Sequence, residues 1–251
     1  MKKLLIINES LSDNLGDNAI SEAMYEFCKK NKNFKIDLQD FSFRKSKSNI
    51  NLNFLSSRKL DKLKLIKQNF RLITLGLFLL KSFPTVFNIA KRKYDYVIIG
   101  GGQLILSSKY STFSLSLILI VIFLKITGSK IKLVAVGVGE NFYKFDKFLF
   151  KLSFSLVDEI FVRDELSKKN CLNKFHKKVN LIPDISYYLL PKVEKITCQS
   201  KKEVMICPIE YLSYDFHRIE VDNPKLNYQE YCLKWQKIIK KELNHGNKIL
   251  I

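Results

Sequence analysis

"YDYVIIGGGQLI", residues 94–105, is an apolar run that stops at three successive glycines. A short continuous run of this kind suits a strand buried on both faces, and the glycines mark where the chain turns out of a sheet. The same grammar recurs on either side. "KKLLIIN" (2–8) precedes "SDNLGDN" (12–18), "IKLVAVGVG" (131–139) again ends in glycines, "EIFV" (159–162) runs into "RDELS", and "KVNLIPD" (178–184) closes the series, with "FKIDL" (34–38) as a further short strand. Longer segments of helical pattern lie between them. In "DNAISEAMYEFCKK" (17–30), Ile20, Ala23, Met24 and Phe27 share one helical face. Residues 59–83 read as helix up to a break at Pro84, 113–126 as an apolar helix, and 143–156 and the stretch from 163 as two more. Strands alternating with helices predict an α/β chain built on a parallel sheet covered on both faces.

The organisation changes near residue 190. "LLPKVEKITCQSKKE" (189–203) is polar, carries a proline and reads as a linker. This predicts a first domain over 1–190, a linker over 191–202 and a second unit over 203–251. That unit offers "EVMICPI", a helix in "NYQEYCLKWQKIIKKELNHG" stopped at Gly246, and "NKILI". A strand, a helix and a strand cannot bury a core alone. The second unit is therefore expected to be a partial domain, and the 251-residue chain by itself a fragment that does not turn over substrate.

Composition narrows the function classes. The chain has 43 Lys+Arg against 24 Asp+Glu, a formal net charge of +19, and is 47% hydrophobic. Such a surface favours anionic partners: phosphorylated metabolites, nucleic acid or an acidic membrane surface. The bias rests on Lys more than on Arg, the usual base reader, and no RNA or DNA motif is present, so no nucleic-acid partner is expected. Five scattered Cys with no C-x-x-C pair read as free thiols of a reducing compartment, and three His without ligand spacing predict no metal. "MKKLLIINESLSDN" has too short an apolar core for a signal peptide. "LITLGLFLLKSF" (72–83) and "FSLSLILIVIFLKI" (113–126) fall short of the roughly 20 residues that span a bilayer, which leaves burial first and peripheral membrane contact second.

In a parallel sheet, ligands bind at the carboxyl ends of the strands, and the polar and glycine residues gather there. Asn14, Gly16 and Asp17 follow the first strand; Gly101, Gly102 and Gln103 follow "YVII"; Gly137 and Gly139 follow "LVAV"; Arg163, Asp164 and Ser167 follow "EIFV"; Asp184 follows "LIP". A dinucleotide site is excluded because Phe142 stands where the third glycine of "GVGENF" should be, and no Walker loop occurs. Arg163 is the candidate anion ligand: a guanidinium there either grips a carboxylate or phosphate through two bonds, or pairs with Asp164 or Asp184 and braces the loops. Asp164 is also a helix N-cap candidate, and Asp184 is either a turn former or a ligand contact.

Together, "NLGDNAI", "YDYVIIGGGQLI", "AVGVG", "FVRDELS" and "LIPDISYYL" resemble the polysaccharide pyruvyl transferase family, over about residues 1–190 and less closely beyond Glu203. The resemblance implies two Rossmann-like domains facing across a cleft, a GT-B-like architecture incomplete here in the second domain. It implies transfer of the pyruvyl unit of phosphoenolpyruvate to sugar hydroxyls as a ketal, in synthesis of an exopolysaccharide or other cell-surface polymer. No cofactor is implied, since phosphoenolpyruvate is the donor substrate. The acceptor would be a sugar or lipid-linked oligosaccharide, and the place cytoplasmic, at the inner face of the membrane. By the same resemblance Asn14, Gly16 and Asp17 line the cleft beside the acceptor, and Arg163 belongs to the anion clamp. No catalytic acid is assigned; His217 and Arg218 match no motif and read as surface residues. Two other readings stay open: a GT-B-type sugar-nucleotide glycosyltransferase, and a non-catalytic chain that binds a glycan or a partner.

Overall fold

Leu4, Leu5, Ile6 and Ile7 are at most 2% exposed, because strand β1 (Lys2–Asn8) lies inside a sheet rather than at its edge. It pairs in parallel with β2 (Phe34–Asp40) on one side and β3 (Tyr96–Gly100) on the other. Strands β4 (Lys130–Val136), β5 (Glu159–Val162) and β6 (Asn180–Leu181) continue outward, giving a six-stranded, all-parallel sheet in the order β2-β1-β3-β4-β5-β6. The computed structural model describes residues 1–12, 14–44, 71–108, 111–189, 203–206 and 228–250. The expected linker at 191–202, the helical pattern at 59–70, and His217 and Arg218 lie outside the described residues.

The chain divides into two compact units, Met1–Leu190 and Pro191–Ile251. In the first, α1 (Leu15–Lys29) joins β1 to β2, moving one way across the sheet. The later helices, α2 (Arg71–Lys91), α3 (Phe113–Ile126), α4 (Lys144–Leu156) and α5 (Glu165–Phe175), all accompany steps the other way. Right-handed crossovers then put α1 on one face and α2 to α5 on the opposite one. The packing agrees. Leu4 and Ile6 meet Met24 and Cys28 of α1, whereas Leu5 and Ile7 join the large cluster with Val86, Leu117, Phe150 and Phe175.

Both faces of the sheet carry helices, as expected, but unevenly. Among the described residues, α1 and the 3-10 turn Ile185–Leu189 are the helical cover on the α1 face, and Ile98, Lys132, Val134 and Phe161 stay only partly buried there. Phe27 is likewise 54% exposed and touches Tyr188 edge-on at the rim of α1. One expectation needs correction: Pro84 does not break a helix, since α2 runs through it to Lys91. An interior proline costs roughly 3 kcal/mol. Continuing the helix sinks Val86 and Ile89 into the core, and each such side chain recovers about 1.5–3 kcal/mol, so packing wins.

The second unit contains a parallel pair, β7 (Glu203–Met205) and β8 (Lys248–Leu250), connected through α6 (Tyr228–Asn244). Gly246, at φ +73°, ends the helix in the left-handed conformation that a glycine adopts without strain.

Cys28, Cys171 and Cys232 are free thiols. Burial pushes Cys28 up to about 11 and Cys171 up to about 12. Both should stay unmodified when the native protein is alkylated at pH 8 and mapped by mass spectrometry, while half-buried Cys232 reacts. Equal labelling of Cys28 and Cys232 would contradict this packing.

Candidate functional site

The strand order reverses between β1 and β3, since the chain leaves β1 toward β2 and returns to build outward from β3. Such a switch point opens a crevice at the carboxyl ends of the strands. The loop after β1 enters it first. Asn14 caps α1: its side-chain oxygen accepts from the Gly16 N–H at 2.8 Å, and the Asn18 amide donates to the carbonyls of Ser12 and Asn14. Asp17 in the first turn reaches Gly102, where an added Cβ would lie 3.4 Å from its Oδ1. Replacing Asn14 by Ala should cost about 1 kcal/mol of stability, read as a fall in urea midpoint, because one helix N–H loses its acceptor. An unchanged midpoint would show that water caps the helix as well.

The glycines after β3 allow close approach. Gly101 and Gly102 have φ of +71° and +69°, and a Cβ on Gly101 would overlap Ile20. The turn is tied to the next strand: Gly101 N–H donates to the Val134 carbonyl, and Gly137 N–H to that of Gly102, at 2.9 and 2.8 Å. Gln103 is exposed at the rim. Strand β4 carries a register shift between Leu133 and Val136, with buried Ala135 at φ +53°. This bulge re-aims the strand end that carries Gly137. Gly139 pairs through its N–H with Ile105.

Arg163, at the end of β5, lies directly over Gly137. A Cβ there would sit 2.9–3.1 Å from the guanidinium atoms, so the absent side chain is what admits it. The guanidinium is held from two sides, Nε by Asp164 at 3.4 Å and Nη1 by Asp184 at 3.3 Å. Asp164 also caps α5, accepting from the Ser167 N–H, and Asp184 accepts from both the N–H and the hydroxyl of Ser186. Ser167 is buried, and its hydroxyl accepts from the Val138 N–H. Asn14, Asp17, Gly101, Gly102, Gly137, Arg163 and Asp184 thus form one chain of neighbours along the crevice, while Ser167 and Gly139 bond to the backbone of Val138 and Ile105. Both ion pairs offered as the alternative for Arg163 are present.

Several residues here have no counterpart in the motif reading. Asn8, the last residue of β1, is 1% exposed, and neither its side-chain nitrogen nor its oxygen has a hydrogen-bond partner among the described residues. An amide closing an apolar strand was the available signal. Asn170 donates to the Val138 carbonyl, and Asp146 accepts from the hydroxyls of Ser107 and Ser114. Asp40, Glu9 and Arg44 lock the loop after β1, with burial pushing the Glu9 carboxyl up against the pull of Ser42 and Arg44. Apart from Asp40 and Arg44, four positions apart, nothing local in the sequence joins these partners.

The family model of polysaccharide pyruvyl transferases matches residues 14–250. Among solved structures, the "S. aureus MnaA-UDP co-structure" is similar, with a TM-score of 0.44 and 16% identity over 82% of this chain and 52% of that one. The chain thus spans about half the length of that structure. No curated protein matches it.

Proposed function

Because the chain belongs to the polysaccharide pyruvyl transferase family, we propose that it takes part in transferring the pyruvyl unit of phosphoenolpyruvate to a sugar. A proton is delivered to the methylene carbon, cationic character builds at the adjacent carbon, and sugar hydroxyls attack it. Two hydroxyl oxygens end on that carbon as a ketal, and phosphate leaves. The acceptor in this reading is a sugar or lipid-linked oligosaccharide bound for a cell-surface polymer, and the donor is a cytoplasmic metabolite.

The observation that carries the reading is the family match across nearly the whole chain, and the crevice at the switch point supports it. The polar side chains of Asn14 and Asp17 suit sugar hydroxyls, and Arg163 suits an anionic group. In this proposal Asn14 and Asp17 face the acceptor, and Arg163 contributes to holding the donor's anionic groups by exchanging one of its carboxylate partners. The test is incubation with phosphoenolpyruvate and a range of pyranosides, following phosphate release and the mass of the acceptor. Acceptor-dependent phosphate release with formation of a pyruvate ketal is expected of an enzyme with both cleft domains. Nucleotide release from a sugar nucleotide, with phosphoenolpyruvate inert, would overturn it.

A further inference from the structure

The outer surface of the α2–α3–α4 layer combines two features that ordinary protein surfaces keep apart. It is apolar: Leu77, Leu80 and Phe87 of α2 and Phe145, Phe148 and Leu152 of α4 are 38–75% exposed. On α2 these fall at spacings of three and seven residues, on the side opposite buried Ser82, Val86 and Ile89. The surface is also basic. Lys81 and Lys91 stand on the same side of α2, and Lys144, Lys147 and Lys151 on the exposed side of α4. The three helices contain a single acid, Asp146, which is 2% exposed and turned inward to Ser107 and Ser114. Helix α3 lies between the other two, joined to them through Leu75, Phe78, Ile118 and Leu149, so the two exposed stripes belong to one layer.

From this we infer that the face docks on an anionic bilayer surface, with its leucines and phenylalanines in the headgroup boundary and its lysines against lipid phosphates. The charge decides between occupants. A second copy would bring lysines against lysines, and close-packed protein interfaces are depleted in lysine. An anionic lipid surface satisfies both features at once, as amphipathic interfacial helices with a basic polar face do. No described helix is long and apolar enough to cross a membrane, so the contact lies in the interface plane. Phe87 shows the arrangement in miniature, stacked on Phe83 with the Lys91 ammonium 4.4 Å from its ring centre. The inference does not rest on the transfer reaction.

The test is co-sedimentation of the full chain with vesicles of phosphatidylcholine alone or mixed with phosphatidylglycerol. Binding is expected on the mixed vesicles and at least about tenfold weaker on phosphatidylcholine. Leu80→Glu with Phe148→Glu should remove it. Changing Lys144, Lys147 and Lys151 together to Ser should weaken it by about a hundredfold. All these side chains face solvent, so thermal melting of the variants should match the parent and exclude misfolding as the cause. Binding that is unaffected by both sets of changes would overturn the inference. So would an absence of vesicle binding, whether the chain stays monomeric or forms a dimer, seen by light scattering, that the Leu80 and Phe148 changes dissociate. Neither outcome bears on phosphate release, which keeps this result separable from the proposed reaction.

Discussion

Gly100→Ala is expected to destabilise the first unit by about 2–4 kcal/mol. Gly100 ends β3 against β4, and a Cβ built there overlaps the Val134 carbonyl oxygen and crowds its carbon and nitrogen. These are backbone atoms within a sheet, so no side chain can swing aside. The strands must separate, and the bond from Gly101 N–H to Val134 is lost with them. Overpacking alone costs about 1–3 kcal/mol, and a broken hydrogen bond about 1 more. The melting temperature should fall by roughly 10 °C. Gly139→Ala is the control, because its Cβ would meet nothing closer than 3.5 Å. Equal melting temperatures for the two variants would contradict the described approach of β3 to β4.

In an enzyme with both cleft domains, Arg163→Lys is expected to lower kcat/KM for phosphoenolpyruvate by about 10–100-fold, equivalent to roughly 1–3 kcal/mol, with a much smaller change in melting temperature. The guanidinium reaches Asp164 through one nitrogen and Asp184 through another, while its Nη2 lies over the bare backbone of Gly137. Lysine keeps the charge but has one nitrogen in place of a planar fork, so it cannot hold a carboxylate and present a second donor to the crevice. An ion pair about a quarter exposed adds little stability by itself, which is why rate rather than folding should register the change. Unchanged kinetics with a lowered melting temperature would assign Arg163 to bracing the loops alone.

The two predictions draw on different levels of the molecule. Buried parallel strands are apolar on both faces, so "KLLII", "YVII", "KLVAV" and "EIFV" announced themselves, and glycine and Asn-Asp clusters marked where each run left the sheet. Helix caps are also local, since Asp164 accepts from a residue three positions on, within reach of any reading of "RDELS". The sequence by itself therefore determined the alternation of strand and helix, and which edge of the sheet collects polar residues.

What only the tertiary structure decided involves partners far apart in the chain. Pro84 stays inside a helix because the sheet rewards burial of Val86 and Ile89, an energy absent from any local window. Asp146 answers Ser107 and Ser114, Asn170 answers Val138, and Arg163 answers Asp184 across 21 positions. Among the described residues one sheet face keeps less helical cover, because every step outward from β3 carries its helix to the same side. Hydrophobic periodicity records how a segment faces its surroundings, but it does not record which segment those surroundings are. That second choice belongs to long-range packing, and it alone set Arg163 over Gly137.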